Sequence, residues 1–304
     1  MALVELACDL CGGEAYQSLY PSTIDRQRDE PSFYYGSTRP LAGHLEIVRC
    51  AHCGLARSRQ SDDELTLQTV YSGLEDRLYE AEGSNRRRTA QTYLGFMAEY
   101  TQPSGKLLDV GCASGLFLED AIAAGWEGTG LEPSAWACSI ARSRLLGVEI
   151  IQAALEEATF PDSAFQAVSL WDVLEHVYSP TLTLRRLSHW LEPGGWLFLN
   201  VPDISSLPAR LMGHRWVLLL REHLWYFTPA TMLALLHKCG FQLAGVRGNA
   251  VHFSLANMLA RLAQYPSRLQ EVMLWLARFP YLKVISVKFP MGEMSIAAQK
   301  TAFP

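Results

Sequence analysis

The sequence predicts an α/β protein: a mostly parallel sheet covered on both faces by helices, preceded by a small four-cysteine module. Three observations predict it. After residue 104, short aliphatic runs alternate with helical patterns, as expected of strands joined by crossover helices. The first of these strands runs into a glycine turn, Asp109-Val-Gly111-Cys112-Ala-Ser-Gly115. Ahead of the sheet stand two Cys-x-x-Cys pairs, Cys8/Cys11 and Cys50/Cys53.

Residues 1–60 form the cysteine module. Two residues between thiolates let one tight turn present both sulfurs to a single ion, and Gly12 and Gly54, just after the pairs, permit left-handed backbone there. Four thiolates at this spacing predict a tetrahedral structural zinc. The 38 residues between the pairs form a long loop that contains Pro21, Pro31, Gly36 and Pro40. A thioredoxin-like redox pair would need a βαβ setting, which this segment lacks. So small a module has little core, and the ion would supply much of its folding free energy. His52, inside the second pair, reads as an exposed loop residue.

Residues 61–103 read as a helical linker. From 104 to 304 the patterns predict strands at 107–110, 128–131, 149–151, 165–171, 196–201, 241–246 and 293–300. Helices are predicted at 115–124, 135–146, 180–191 and 229–239. An insertion at 253–290 reads as a helical cap over the substrate crevice, with a dimer surface or a peripheral membrane contact as alternatives.

The 304 residues suggest two structural units. A composition of 49% hydrophobic and 19% charged residues excludes a disordered, collagen-like or coiled-coil chain. No apolar run reaches the ~18 residues of a membrane span, and Met1 to Asp9 carries no secretion pattern, so the cytoplasm is the expected compartment. The net charge of −5 hides an asymmetry: residues 223–304 carry eight Lys or Arg against two acids, a net +6, leaving −11 on the rest. Nucleic acid is therefore not the expected partner, whereas the basic insertion suits an anionic small-molecule acceptor.

Gly111 and Gly115 let the chain turn sharply and a ligand approach the backbone beyond the strand ends. Glu132 follows Gly111 by 21 residues, at the end of the second strand, where a carboxylate can accept both ribose hydroxyls. The spacing is neither the Gly-x-Gly-x-x-Gly of a dinucleotide site nor a P-loop. A nucleoside without a pyrophosphate is expected.

These residues resemble the first motif of class I S-adenosylmethionine-dependent methyltransferases, Asp-x-Gly-x-x-x-Gly followed by an acid that ends the second strand. The resemblance runs from residue 90 to 249 and includes Phe160-Pro-Asp-Ser-Ala-Phe165, Trp171-Asp-Val-Leu-Glu-His176 and Leu191-Glu-Pro-Gly-Gly195. It implies a Rossmann-like seven-stranded sheet with the last strand antiparallel, and S-adenosylmethionine as cofactor. The contacts it implies are Asp109, Gly111, Cys112, Gly115, Glu132, Pro133, Ala154, Leu155 and Trp171, with Glu156 adjacent. Tyr79 and the Arg86-Arg87-Arg88 run occupy the helix that covers the methionine carboxylate in related enzymes. The sequence departs from the family at Ala154, where an acid often binds the adenine amine, and at Ala113 in the middle of the glycine motif.

Methyl transfer from a sulfonium is an in-line displacement, in which the protein aligns the acceptor and removes its proton. His is the suitable base near neutral pH, and His176 and His223 are the candidates. Arg221-Glu-His-Leu-Trp-Tyr-Phe-Thr228 resembles a segment of zinc-containing C-methyltransferases that act on nucleotide-linked deoxysugars. This implies Glu222 and His223 as a base pair, with His176 near the substrate. The chain departs from those enzymes at Leu220, where they carry Tyr, and is expected to lack their extra C-terminal domain. Adjacent residues do not face one another on a helix, so the pair requires irregular backbone. Alternatively, Glu222 pairs with Arg221 or Arg215 and His223 fills a core edge. His252 is expected to line the acceptor pocket; His189, His214 and His237 have weaker claims.

The expected function is a methyltransferase acting on a small polar metabolite, a sugar or nucleotide-linked sugar. The alternatives are an RNA methyltransferase, disfavoured because residues 1–60 show no basic stripe, and a non-catalytic zinc-containing scaffold.

Overall fold

The structure, a computed structural model, describes residues 3–5, 7–24, 43–263 and 269–301. Pro31, Gly36 and Pro40 of the predicted module loop, and 264–268 of the insertion, lie outside the described residues.

Seven strands form the main sheet, in the order Phe241–Ser254, Ser286–Lys300, Leu191–Pro202, Phe165–Trp171, Lys106–Val110, Glu127–Glu132 and Glu149–Gln152. The last five pair in parallel. Ser286–Lys300 runs antiparallel to both of its neighbours, as the resemblance implied. Strand side chains alternate between the faces. Leu107, Ala167 and Phe198 pack with Tyr93, Phe96 and Met97 of helix Gly83–Met97, while Leu108, Val168 and Leu199 pack with Leu184, Leu187 and Leu235 on the other side. Each such fully buried Leu contributes roughly 1.5–3 kcal/mol.

Local chemistry fixes the covering helices. Pro180–Trp190 begins with Pro, and Ser179 caps it by accepting from Leu182 N. Thr228 and Thr231 form a reciprocal capping box at the start of Pro229–Lys238. The 61–103 segment forms helices Glu64–Ser72, Arg77–Ala81 and Gly83–Met97.

The last two strands are much longer than the sequence suggested. They continue as one twisted ribbon to Ser254 and from Ser286, with bulges between Leu243 and Gly245 and between Asn249 and Val251. Glycines and bulges break the two-residue alternation that would have revealed the pairing. The helices of the insertion, Leu255–Leu262, Gln270–Leu276 and Pro280–Val284, therefore span less than 253–290. They expose Val272, Trp275 and Val284. Among the described residues no helix is long and apolar enough to cross a membrane.

The cysteine module is an antiparallel sheet of Tyr16–Tyr20, Ile47–Cys50, Ala56–Ser58 and Trp225–Tyr226. Its fourth strand arrives from far along the chain, directly after the 221–224 segment. Asp9 ties the module to the main sheet's helices: its carboxylate accepts Ser179 Oγ at 2.5 Å and Thr181 N at 2.6 Å. Lys238 Nζ reaches the Asp9 and Leu10 carbonyls at 2.9 and 2.8 Å.

Candidate active site

The glycine turn opens at the end of strand Lys106–Val110. Gly111, Ala113 and Gly115 all take left-handed φ, at 70°, 47° and 79°. Gly111 N donates to Leu131 O at 2.7 Å, bracing the turn on the second strand. A Cβ at Gly111 would sit 2.5 Å from Val173 Cγ2, and one at Gly115 would sit 2.8 Å from Leu145 Cδ1. The room a side chain would need at these glycines is thus taken by the protein's own side chains.

Glu132 ends the second strand, 8% exposed. Its Oε2 accepts Ala113 N and its Oε1 accepts Ser134 N, both at 2.9 Å, which leaves each oxygen a lone pair for another donor. Burial pushes its carboxyl up from the usual range, against those two hydrogen bonds. Asp109 accepts Ser169 Oγ at 2.7 Å. Burial, with the Glu132 charge adding to it, pushes Asp109 up to about 7 although the Ser169 bond opposes the shift.

Both acids line one end of a cavity of about 360 Å³, a size suited to a small molecule. Gly111, Cys112, Pro133, Ala154, Leu155, Glu156, Trp171 and Tyr79 line it as well. Gly115 is not part of this lining; it caps helix Leu116–Ala123 in left-handed conformation. Trp171 is stacked flat on Tyr93, with centroids 4.1 Å apart, and its buried Nε1 has no hydrogen-bond partner among the described residues. Arg86 lies 4.3 Å from the centroid of the Tyr79 ring and lines the cavity. Arg87 turns away to pair with Glu119 and Asp120. Burial pushes the Tyr79 hydroxyl up to about 12, keeping it neutral.

The other end of the cavity begins at Asp172, whose φ of 59° is uncommon for a non-glycine residue. Asn200 Nδ2 donates to Asp172 Oδ1 at 2.5 Å and to Glu293 Oε2 at 3.0 Å, so one amide bridges two carboxyls that line the cavity. Burial, reinforced by Asp172, pushes Glu293 up to about 8. Sequence reasoning missed Asp172, Asn200 and Glu293; the signal available was a polar Asn200 inside the apolar run Leu197 to Val201 and an acid inside a basic tail. Leu218, Leu220, Val251, Phe253 and Met291 supply an apolar wall. Arg261, from the insertion, lies 4.8 Å from the Phe253 ring centroid and also lines the cavity.

His176, Glu222 and His223 all line this end. The two imidazoles lie edge to face, with centroids 4.7 Å apart. His176 Nδ1 is 2.9 Å from Tyr71 Oη and 3.0 Å from the Glu222 carbonyl oxygen, and His223 Nδ1 is 2.8 Å from the Leu218 carbonyl oxygen. Burial lowers His176 to about 4 and His223 well below the usual range, so both rings are neutral near pH 7. One donor atom each from Glu175, His176 and His223 lies within 4.8 Å of the other two. The backbone from Leu220 to Leu224 is irregular, as a neighbouring Glu222–His223 pair requires. Arg221 points into the buried carboxylate of Asp62, with Nη2 at 2.8 Å from both oxygens. His252 does not line the cavity: strand alternation presents Val251 and Phe253 to it, while His252 Nδ1 meets Ser286 Oγ at 3.3 Å.

At the module end, the Sγ atoms of Cys8, Cys11, Cys50 and Cys53 all lie within 4.8 Å of one another. Cys8–Cys53 and Cys11–Cys50 are 3.4 and 3.5 Å apart, far beyond a disulfide and close to the ~3.8 Å edge of a tetrahedron of thiolates about a zinc. Gly12 and Gly54 adopt the expected left-handed φ of 71° and 78°. His52 is exposed and is not in the cluster.

Residues 83–245 match a family model described as a methyltransferase domain. A relative from Xanthomonas axonopodis pv. citri (strain 306), named ubiquinone biosynthesis O-methyltransferase, is 28% identical over 195 residues, covering 59% of this chain and 81% of its own. One of the same name from Bordetella bronchiseptica (strain ATCC BAA-588 / NCTC 13252 / RB50) is 30% identical over 158 residues, covering 48% and 66%. Among solved structures, a chain from the Haloferax volcanii complex of the Trm112 methyltransferase activator with a methyltransferase superposes with TM-score 0.53 at 16% identity, covering 72% of this chain and 90% of that one; this likeness shows the fold. The family match spans the glycine turn, Glu132 and the segments around both histidines, and the chain accordingly belongs to the methyltransferase-domain family, enzymes that take their methyl group from S-adenosylmethionine.

Proposed function

We propose that the enzyme methylates a hydroxyl on a small, negatively charged ring compound, a sugar (free or nucleotide-linked) or a phenol. The observation that carries this reading is the acceptor end of the cavity, where two neutral imidazoles stand beside an apolar wall, with Arg86 and Arg261 also lining the space. The names of the relatives support oxygen as the accepting atom. The joint presence of Glu222, His223 and His176 in one cavity supports the sugar class.

S-adenosylmethionine, when bound, supplies a methyl group on a positively charged sulfur. Glu132 would accept the ribose hydroxyls, with Ala113 N and Ser134 N fixing its carboxylate. Ala154 and Leu155 would flank the base, and stacked Trp171 would wall off water. Arg86 and Arg261 would receive the acceptor's negative group, and His223 with His176 would handle the hydroxyl proton. The four thiolates would hold a structural zinc, which their spacing supports.

The test is a screen of activated sugars and small phenols for release of S-adenosylhomocysteine. On the true acceptor, His223→Ala should lower turnover by ~10² or more with S-adenosylmethionine affinity nearly intact. Turnover unchanged in both His223→Ala and His176→Ala would remove the histidines from the mechanism.

A further inference from the structure

We infer that Glu175, His176 and His223 form a binding site for one divalent cation at the acceptor end of the cavity, separate from the four thiolates. The inference rests on the acceptor reading above and supplies its missing chemistry.

The donor set is the first argument. Two imidazole nitrogens and one carboxylate oxygen, mutually within 4.8 Å, suit Mn²⁺, Fe²⁺ or Zn²⁺, and three protein ligands leave coordination positions for a substrate. Ring orientation is the second. A carbonyl oxygen only accepts, so Nδ1 of His223 donates to Leu218 O, and Nδ1 of His176, which also meets the Tyr71 hydroxyl at 2.9 Å, donates to Glu222 O in the tautomer that frees its Nε2. Each ring therefore keeps its lone pair on Nε2, and a backbone carbonyl behind Nδ1 is the usual support of a metal-binding histidine.

Glu175 is the third. Its side chain lines the cavity, the residue is 1% exposed, and its Oε2 has no hydrogen-bond partner among the described residues. Such burial is costly unless something satisfies the oxygen. A divalent ion held with the two imidazoles satisfies it. Preorganisation is the fourth argument: Leu224 N and Trp225 N both donate to the Glu175 carbonyl, at 2.8 and 3.2 Å. The loop bearing His223 is thus fastened to the turn segment after strand Phe165–Trp171 that bears Glu175 and His176.

A cation there binds the acceptor's hydroxyl oxygen and lowers its pKa. The O–H bond breaks, with the proton passing to water. The oxygen's electron pair then forms the O–CH₃ bond as the C–S bond breaks, its pair returning to sulfur. In this refinement of the acceptor reading the histidines promote loss of the hydroxyl proton through the ion, which replaces direct transfer to either ring.

The experiment is titration of full-length, chelator-treated protein with Mn²⁺, which favours oxygen and nitrogen over thiolate, with free Mn²⁺ read by electron paramagnetic resonance. One bound ion per chain is expected, with nitrogen hyperfine coupling from imidazole. Glu175→Gln and His223→Ala should each weaken it at least about 10-fold, while His189→Ala, a histidine outside the cavity lining, should retain it. Wild-type protein that binds S-adenosylmethionine but no Mn²⁺, or a bound Mn²⁺ without nitrogen coupling, overturns the site and leaves the cofactor reading standing. Protein that binds Mn²⁺ but no S-adenosylmethionine does the reverse. Circular dichroism of the variants separates ligand loss from misfolding, and the hyperfine measurement on the wild type needs no variant.

Discussion

Asp62→Ala should damage this enzyme more than any surface substitution, because it breaks the buried pair that fastens the 221–224 loop. The side chains of Arg221 and Asp62 are only 8% and 1% exposed. The guanidinium reaches the carboxylate through Nη2 at 2.8 Å to both oxygens and through Nε at 3.3 Å. Removing one partner of such a pair typically costs about 3–5 kcal/mol, since the charge that remains keeps its desolvation penalty. Part of that cost should appear as loop displacement, although Ser58 still holds the Leu224 and His223 carbonyls at 2.9 and 3.2 Å. Urea unfolding followed by tryptophan fluorescence measures the stability loss; turnover and calorimetry with S-adenosylmethionine measure the rest. Turnover should fall while cofactor affinity holds, because Glu132 lies at the other end of the cavity. Asp62→Ala/Arg221→Met should recover most of the stability, an apolar pair being a good substitute for a buried ion pair. A single variant within about 0.5 kcal/mol of wild type, or a double variant as unstable as the single, would refute the reasoning.

Three further outcomes are expected. Glu132→Ala should weaken S-adenosylmethionine by about 10–100-fold in calorimetry and lower the melting temperature too, because Ala113 N and Ser134 N lose their acceptor; a variant that loses neither would place the cofactor elsewhere. Cys8→Ser should abolish chelator-resistant zinc by metal analysis, and turnover should fall with it, because the module's strand Ala56–Ser58 pairs with Trp225–Tyr226 beside His223. Asp109 is raised from the usual aspartate range to about 7, so the folded state holds the proton more tightly than the unfolded one. Its contribution to stability is complete below about pH 4 and is lost as pH rises through 7. Asp109→Asn should flatten the melting temperature between those limits, and curves that stay parallel to wild type would sink this assignment.

What the sequence made legible follows from how local each signal is. Strand Lys106–Val110 is covered on both faces, so it reads as an apolar run, and Asp109 at its end stands out because a sheet core has no need of an acid. Glu132 was legible for the same reason, as were the cysteine pairs, whose turns are two residues wide. The pairing of Arg57 with Trp225 and the contact of Asp62 with Arg221 join segments far apart in sequence, where no periodicity connects them. Glu175 lay inside a motif noticed for its histidine, and nothing local shows that its carboxylate is buried with an oxygen unpartnered. The module is the instructive case. As sequence it is a separable zinc unit, yet Gly54 N closes the second knuckle on Cys50 O at 3.0 Å, and the chain passes directly into Ala56–Ser58, which holds the His223 loop. An ion at the four thiolates would therefore brace the acceptor end of the cavity through one short strand, while the cofactor end rests on the main sheet. Loss of that ion should be felt first in turnover and only later in S-adenosylmethionine binding.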